Sequence, residues 1–172
     1  YYRDDITALL ATKLSVELAM KTGHRLHILH LTSGIEADYL SDYCNLPSKS
    51  EHHPIITTEV LPQHLTFDET DVDEKGVRLQ MNPPIRYSAD RDILWSRLND
   101  GTIQCIATDH APHTLEAKSK GFPHAPSGMP GVETSLAVML NYVNEGKCSL
   151  EDVVRWMSSN VADCYQMIGK GR

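Results

Sequence analysis

Apolar residues along this chain follow two alternating periods. Over residues 5–21, Ile6, Leu9, Leu10, Leu14 and Leu18 recur at helical spacing, and Gly23 follows where a C-terminal cap belongs, which predicts a helix of about four turns. Residues 25–31 are too short for a second helix and are rich in apolar side chains, so they predict a buried strand ending at Thr32-Ser33-Gly34. A helix is expected over 35–44 and a β-branched strand over 55–61, closed by Pro62. An acidic loop over 67–76 then leads to a short strand over 77–81, stopped by Pro83-Pro84. A helix over 90–98 and a short apolar strand over 102–107 follow. Residues 114–131, rich in Gly, Pro, Lys and Ser, predict a long surface loop. Two helices finish the chain, over 133–144 and from Ser149 with Asp152 in capping-box position. Strands alternating with helices define an α/β fold with a parallel sheet, in which chemistry gathers at the C-terminal ends of strands.

Composition narrows the partners. The 172 residues are 41% apolar, enough for one domain with a sizeable core. Sixteen Lys and Arg against 23 Asp and Glu give a net charge of −7, which supplies no footprint for a phosphate backbone, so no nucleic acid is expected. No apolar run approaches the roughly 18 to 20 residues of a bilayer span, and Tyr1-Tyr2-Arg3-Asp4-Asp5 lacks a signal pattern. A soluble, cytoplasmic protein with no membrane partner is the expectation. Cys44, Cys105, Cys148 and Cys164 are far apart with no Cys-x-x-Cys pair, and are expected to be reduced, structural thiols.

Nine histidines carry more information. The expected strands lead into His30, into Pro62-Gln63-His64, into Asn82-Pro83-Pro84, and into Asp109-His110-Ala111-Pro112-His113. Neutral imidazole and carboxylate are the usual ligands of a catalytic Zn²⁺ that keeps a position free for water. Taken singly, each has a plainer reading: a lone strand-end His is more often structural, and an Asp-His pair is also a common hydrogen-bonded turn. Strand alternation sets His27 opposite His30, which assigns His27 to the helix-packed face. His24, His52, His53 and His124 fall in turn or loop contexts and are expected to be solvated.

The order of motifs goes further. Leu29-His30-Leu31-Thr32-Ser33, Glu59-Val60-Leu61-Pro62-Gln63-His64-Leu65, Asn82-Pro83-Pro84-Ile85-Arg86, Ala107-Thr108-Asp109-His110-Ala111-Pro112-His113 and Gly128-Met129-Pro130-Gly131-Val132-Glu133-Thr134 together resemble the second half of a dihydroorotase, a cyclic amidohydrolase. The resemblance implies a metal-dependent (β/α)₈ TIM-type barrel, of which this chain would supply strands five to eight with their helices. It implies that residues 1–172 are the C-terminal half of that domain, with the N-terminal half absent. His30 and His64 would ligate one zinc of a binuclear pair. Asp109 would contact the other and act as general base and acid. Asn82 and His113 would hold the substrate, with backbone groups at Ser127 and Gly128 against its ring. The His-x-His pair that opens such barrels is missing from these 172 residues, and a complete barrel needs 200 residues or more.

The implied reaction interconverts L-dihydroorotate plus water and N-carbamoyl-L-aspartate, a step of pyrimidine biosynthesis. Two other readings stay open: a related cyclic amidase such as an allantoinase or dihydropyrimidinase, and a non-catalytic barrel serving as a partner of aspartate transcarbamoylase. A homodimer or a complex with that enzyme is the implied assembly. The fragment alone is expected to be inactive.

Overall fold

The computed structural model describes residues 3–44 and 55–171; His52 and His53 lie outside them. Helix α1 (Asp5–Thr22) starts where the Asp4 carboxylate accepts the Thr7 amide at 2.7 Å and stops where Gly23, at φ 71°, donates to Ala19 O. Both ends thus use the capping chemistry expected of Asp and Gly. Its buried side is Thr12, Val16 and Ala19, whereas Ile6, Leu10, Leu14 and Leu18 are each more than half exposed. The period read from the sequence holds, but the leucine row faces away from the core.

Strand β1 (Leu26–Ile28) follows, then α2 (Gly34–Ser41), β2 (Ile56–Val60), α3 (Pro62–Thr66), α4 (Glu69–Lys75), α5 (Ser88–Asn99) and β3 (Cys105–Ile106). After the one-turn α6 (Leu115–Lys118) come α7 (Ser135–Asn144) and α8 (Leu150–Val154), which continues through a π turn at Arg155–Ser159 into α9 (Asn160–Cys164). The Ser149–Asp152 capping box is present as read.

The sheet is parallel with order β1-β2-β3, Leu26 opposite Ile56 and Glu59 opposite Cys105. One face is the core: Ile56, Val60 and Ile106 join Val16, Leu40, Leu94, Leu98, Met139 and Trp156 in a single buried cluster, with Leu26 and Ile28 packed against it. Each such side chain is worth about 1.5–3 kcal/mol relative to exposure. The other face is polar. His27 Nδ1 lies 2.8 Å from Thr57 Oγ1 and its Nε2 3.0 Å from Glu59 Oε2. His27 therefore stands on the polar face opposite the main core, contrary to the sequence reading, because Leu26 and Ile28 take the core side and alternation leaves His27 the other.

Three strands, not four, are found among the described residues. The expected strand over 77–81 is a 3-10 turn at Gly76–Leu79, because β2 and β3 pair directly and leave no ladder position between them. The expected acidic loop is largely α4, started by a reciprocal Asp68–Asp71 capping box. Within 114–131, α6 brings Lys118 inward, where its buried Nζ donates to Gln80 O at 2.8 Å.

Candidate active site

His30 and Asp109 follow the C-terminal ends of β1 and β3, and both have positive φ, 37° and 43°. A non-glycine residue held in the left-handed region costs about 1–2 kcal/mol and persists only where neighbours over-determine it. Those neighbours are visible. The His30 amide points at Glu59 Oε1 (3.4 Å) and the Leu31 amide donates to Glu59 O (2.8 Å). Beyond Asp109, the Ala111 amide donates to Met129 O at 3.0 Å, while His110 Nδ1 accepts the Gly131 and Val132 amides at 3.0 and 3.1 Å. His110 thus ties the Asp109 loop to the 127–132 segment and is not free to ligate through that nitrogen.

The same segment brings together three sequence-expected positions. His113 Nε2 lies 3.0 Å from Ser127 O, and a Cβ built on Gly128 (φ 134°) would fall 2.7 Å from Ala111 O and 3.1 Å from His113 Nε2. Glycine is required here, because both the dihedral and the close backbone approach exclude a side chain. Gln63, one residue before His64, donates to Thr108 O at 3.2 Å and so joins α3 to the loop bearing Asp109.

Asn82 is exposed and shares with His30 a cleft of about 350 Å³ between the start of α1 and residues 82–86. Arg3, Thr7, Pro83 and Arg86 are among its other lining residues. Arg86 fixes this loop: its Nε donates to Thr32 Oγ1 at 2.9 Å and its terminal nitrogens approach Arg3 O and Asp4 O. Behind it Glu36 is buried, receives the Thr12 hydroxyl at 2.7 Å, and has its carboxyl raised by desolvation, which that hydrogen bond and then Arg86 partly oppose. A somewhat larger hollow of about 410 Å³, floored by Trp95 and Tyr142 on the helical side, contains none of the strand-end residues.

His64 departs from expectation. It lies inside α3 instead of at the end of β2, is fully buried, and directs Nε2 to Pro83 O at 3.2 Å. Burial pushes its pKa down to about 3, so the ring is neutral; with Nε2–H donating to the carbonyl, Nδ1 is left buried without a partner. His30, His64 and Asp109 are not gathered into a metal-holding set, and no group of three His, Cys, Asp or Glu donors forms one among the described residues. In donor type His30 and Asp109 fit a zinc site, but a catalytic zinc takes three protein ligands, so they supply part of one. Glu59, Gln63 and Arg86 fall inside the quoted motif strings but were given no role of their own, and Glu36 lies in an ordinary helix position with no local signal.

No family model matches the chain. Among solved structures, the L-hydantoinase (dihydropyrimidinase) of Arthrobacter aurescens superposes with a TM-score of 0.85 at 29% identity, over 98% of this chain and 37% of that one. The dihydropyrimidinase of Brevibacillus agri gives 0.81 at 26% identity, over 94% of this chain and 36% of its own. The chain is thus similar in fold and sequence to cyclic amidohydrolases. Among curated proteins the similarity sharpens to dihydroorotases. That of Clostridioides difficile is 42% identical over 151 residues (87% of this chain, 34% of that protein), and that of Halobacterium salinarum 35% over 172 residues (99% and 38%). An allantoinase of Streptomyces avermitilis is 36% identical over 154 residues, 89% of this chain and 33% of that protein. The chain spans about a third of the length of the curated relatives it matches.

Proposed function

We propose that this chain is a C-terminal part of the barrel domain of a zinc-dependent dihydroorotase, which opens L-dihydroorotate to N-carbamoyl-L-aspartate and closes it again in pyrimidine biosynthesis. The observation that carries the reading is the pair His30 and Asp109, an imidazole and a carboxylate presented from left-handed backbone after strands of one parallel sheet. The dihydroorotase relatives support the substrate.

His30 and His64 would hold one zinc of a binuclear pair and Asp109 the other, together with ligands outside this chain. When bound, zinc supplies hydroxide near neutral pH by lowering the pKa of its water to about 7. Asp109 then moves the proton: its carboxylate accepts it as the ring carbonyl is attacked and delivers it to the departing nitrogen, a role worth about 10²- to 10⁴-fold. Asn82 and His113 hold the substrate, His113 oriented by Ser127 O, with Ser127 and Gly128 offering backbone against the ring. His64, buried and neutral with Nδ1 unpartnered, would be a metal ligand through that nitrogen, while its Nε2 is held by Pro83 O.

A second reading is a cyclic amidase for an uncharged ring, favoured by the hydantoinase and allantoinase similarities. A substrate panel on the full-length protein separates the two. Turnover of L-dihydroorotate well above dihydrouracil, hydantoin and allantoin is the expected result. Preference for any of those three would overturn the dihydroorotase assignment and leave the cyclic-amide chemistry standing.

A further inference from the structure

The polar face of the sheet carries a second constellation that the proposed reaction does not use. Cys105, on β3, and Cys164, the last residue of α9, place their Sγ atoms 3.5 Å apart, although 59 positions separate them in the chain. Cys105 is buried and Cys164 partly so. Around them stand Thr57, His27 and Glu59 on β2 and β1, Arg25 just before β1, Tyr165 beyond α9, and Cys44 after α2. Arg25 donates to the carbonyl of Cys164, and Asn160 donates to Gln104 O at 2.8 Å, so both ends of α9 are fastened to the start of the sheet. The two thiols are held facing each other from opposite sides of one fixed contact.

We propose that Cys105 and Cys164 form a reversible dithiol–disulfide pair, oxidised by a hydroperoxide, which staples the last helix to the strand that leads to Asp109. A disulfide brings the sulfurs to about 2.05 Å, so the pair closes by a movement of about 1.5 Å. Cys164 is the nucleophile. The hydrogen bond from Cys105, with His27 and Arg25 nearby, holds its pKa at about 7, while the same hydrogen bond and burial raise that of Cys105. The Cys164 thiolate attacks a peroxide oxygen: an S–O bond forms, the O–O bond breaks, and the leaving hydroxide takes a proton to become water. Cys105 Sγ then attacks Cys164 Sγ; the S–S bond forms, the S–O bond breaks, and the departing hydroxide leaves as a second water with the Cys105 proton. Two thiols and hydrogen peroxide give one disulfide and two waters. The other thiols are poorer nucleophiles, since burial pushes Cys44 up to about 12 and also raises Cys148.

The test treats the full-length protein carrying this chain with hydrogen peroxide, blocks free thiols, digests without reduction and maps the peptides by mass. A Cys105–Cys164 cross-link that a dithiol reductant reverses, with Cys44 and Cys148 recovered blocked, is expected. Sulfinic acid at Cys164 without a cross-link, a link to Cys44, or four free thiols would overturn the proposal. Cys164→Ser should abolish the cross-link and Cys148→Ser leave it intact. Should Cys164→Ser fail to fold, iodoacetamide labelling of the unsubstituted protein decides: at pH 7, Cys164 should react at least about 10-fold faster than Cys148. Equal rates would contradict the proposal.

Discussion

His30 and Asp109 follow the two outer strands of one three-stranded parallel sheet, and both take left-handed backbone there, φ 37° and 43°. The shared geometry turns both side chains out of the strand direction at the rim where α/β chemistry is found. Such strain is kept where the side chain matters more than the backbone.

His30→Gly tests that trade. Relief of about 1–2 kcal/mol of left-handed strain is offset by glycine's entropic cost of about 0.5–1 kcal/mol, so stability in urea should change by less than about 1 kcal/mol. Activity of the full-length protein should collapse. A large loss of stability would mean that the His30 ring is a packing element.

His64 sets an acid limit. Its buried ring is neutral, with its pKa down to about 3 against an unfolded value near 6.5. Between those values the unfolded chain binds the extra proton. The contribution is therefore complete above about pH 6.5 and is lost as pH falls toward 3, at up to about 1.4 kcal/mol per pH unit. Denaturant melts from pH 7 to 4 should show that slope, and His64→Gln should flatten it.

Gly128→Ala should destabilise by about 1–3 kcal/mol, the range for a side chain forced into such a conformation, and should displace His113 from Ser127 O. The measurement is KM for the ring substrate beside the melting curve. A rise in KM larger than any fall in kcat is expected if this loop binds substrate.

How much of this was legible before the structure depends on the range of the interaction. Caps at Gly23 and Ser149, the strand at Ile56–Val60 and the rim positions of His30 and Asp109 are local and could be read. The 3-10 turn at Gly76–Leu79 could not, since Val77-Arg78-Leu79 has strand character and only the direct pairing of Glu59 with Cys105 excludes it from the sheet. The face of His27 was misread because helix-side and open-side alternation look alike in three residues. The His64–Pro83 contact is long-range and leaves no local signal in the Pro-Gln-His run.

Glu59 is such a long-range residue, and its removal should be costly. Glu59→Ala strips the partner from His27 Nε2 and from the His30 amide at once, at a buried position. A loss of about 1–3 kcal/mol in chemical denaturation is expected. Glu59→Gln, which keeps one oxygen to accept the His30 amide and offers an N–H to His27 Nε2, should recover much of it.

The central claim is that Asp109 carries the proton in cyclic-amide hydrolysis, and Asp109→Asn in the full-length protein tests it most directly. Rates should be measured with L-dihydroorotate and with N-carbamoyl-L-aspartate, alongside zinc content and circular dichroism. The account predicts a fall of about 10²- to 10⁴-fold in both directions, with the fold intact and much of the zinc retained. A near-normal rate in either direction would contradict it.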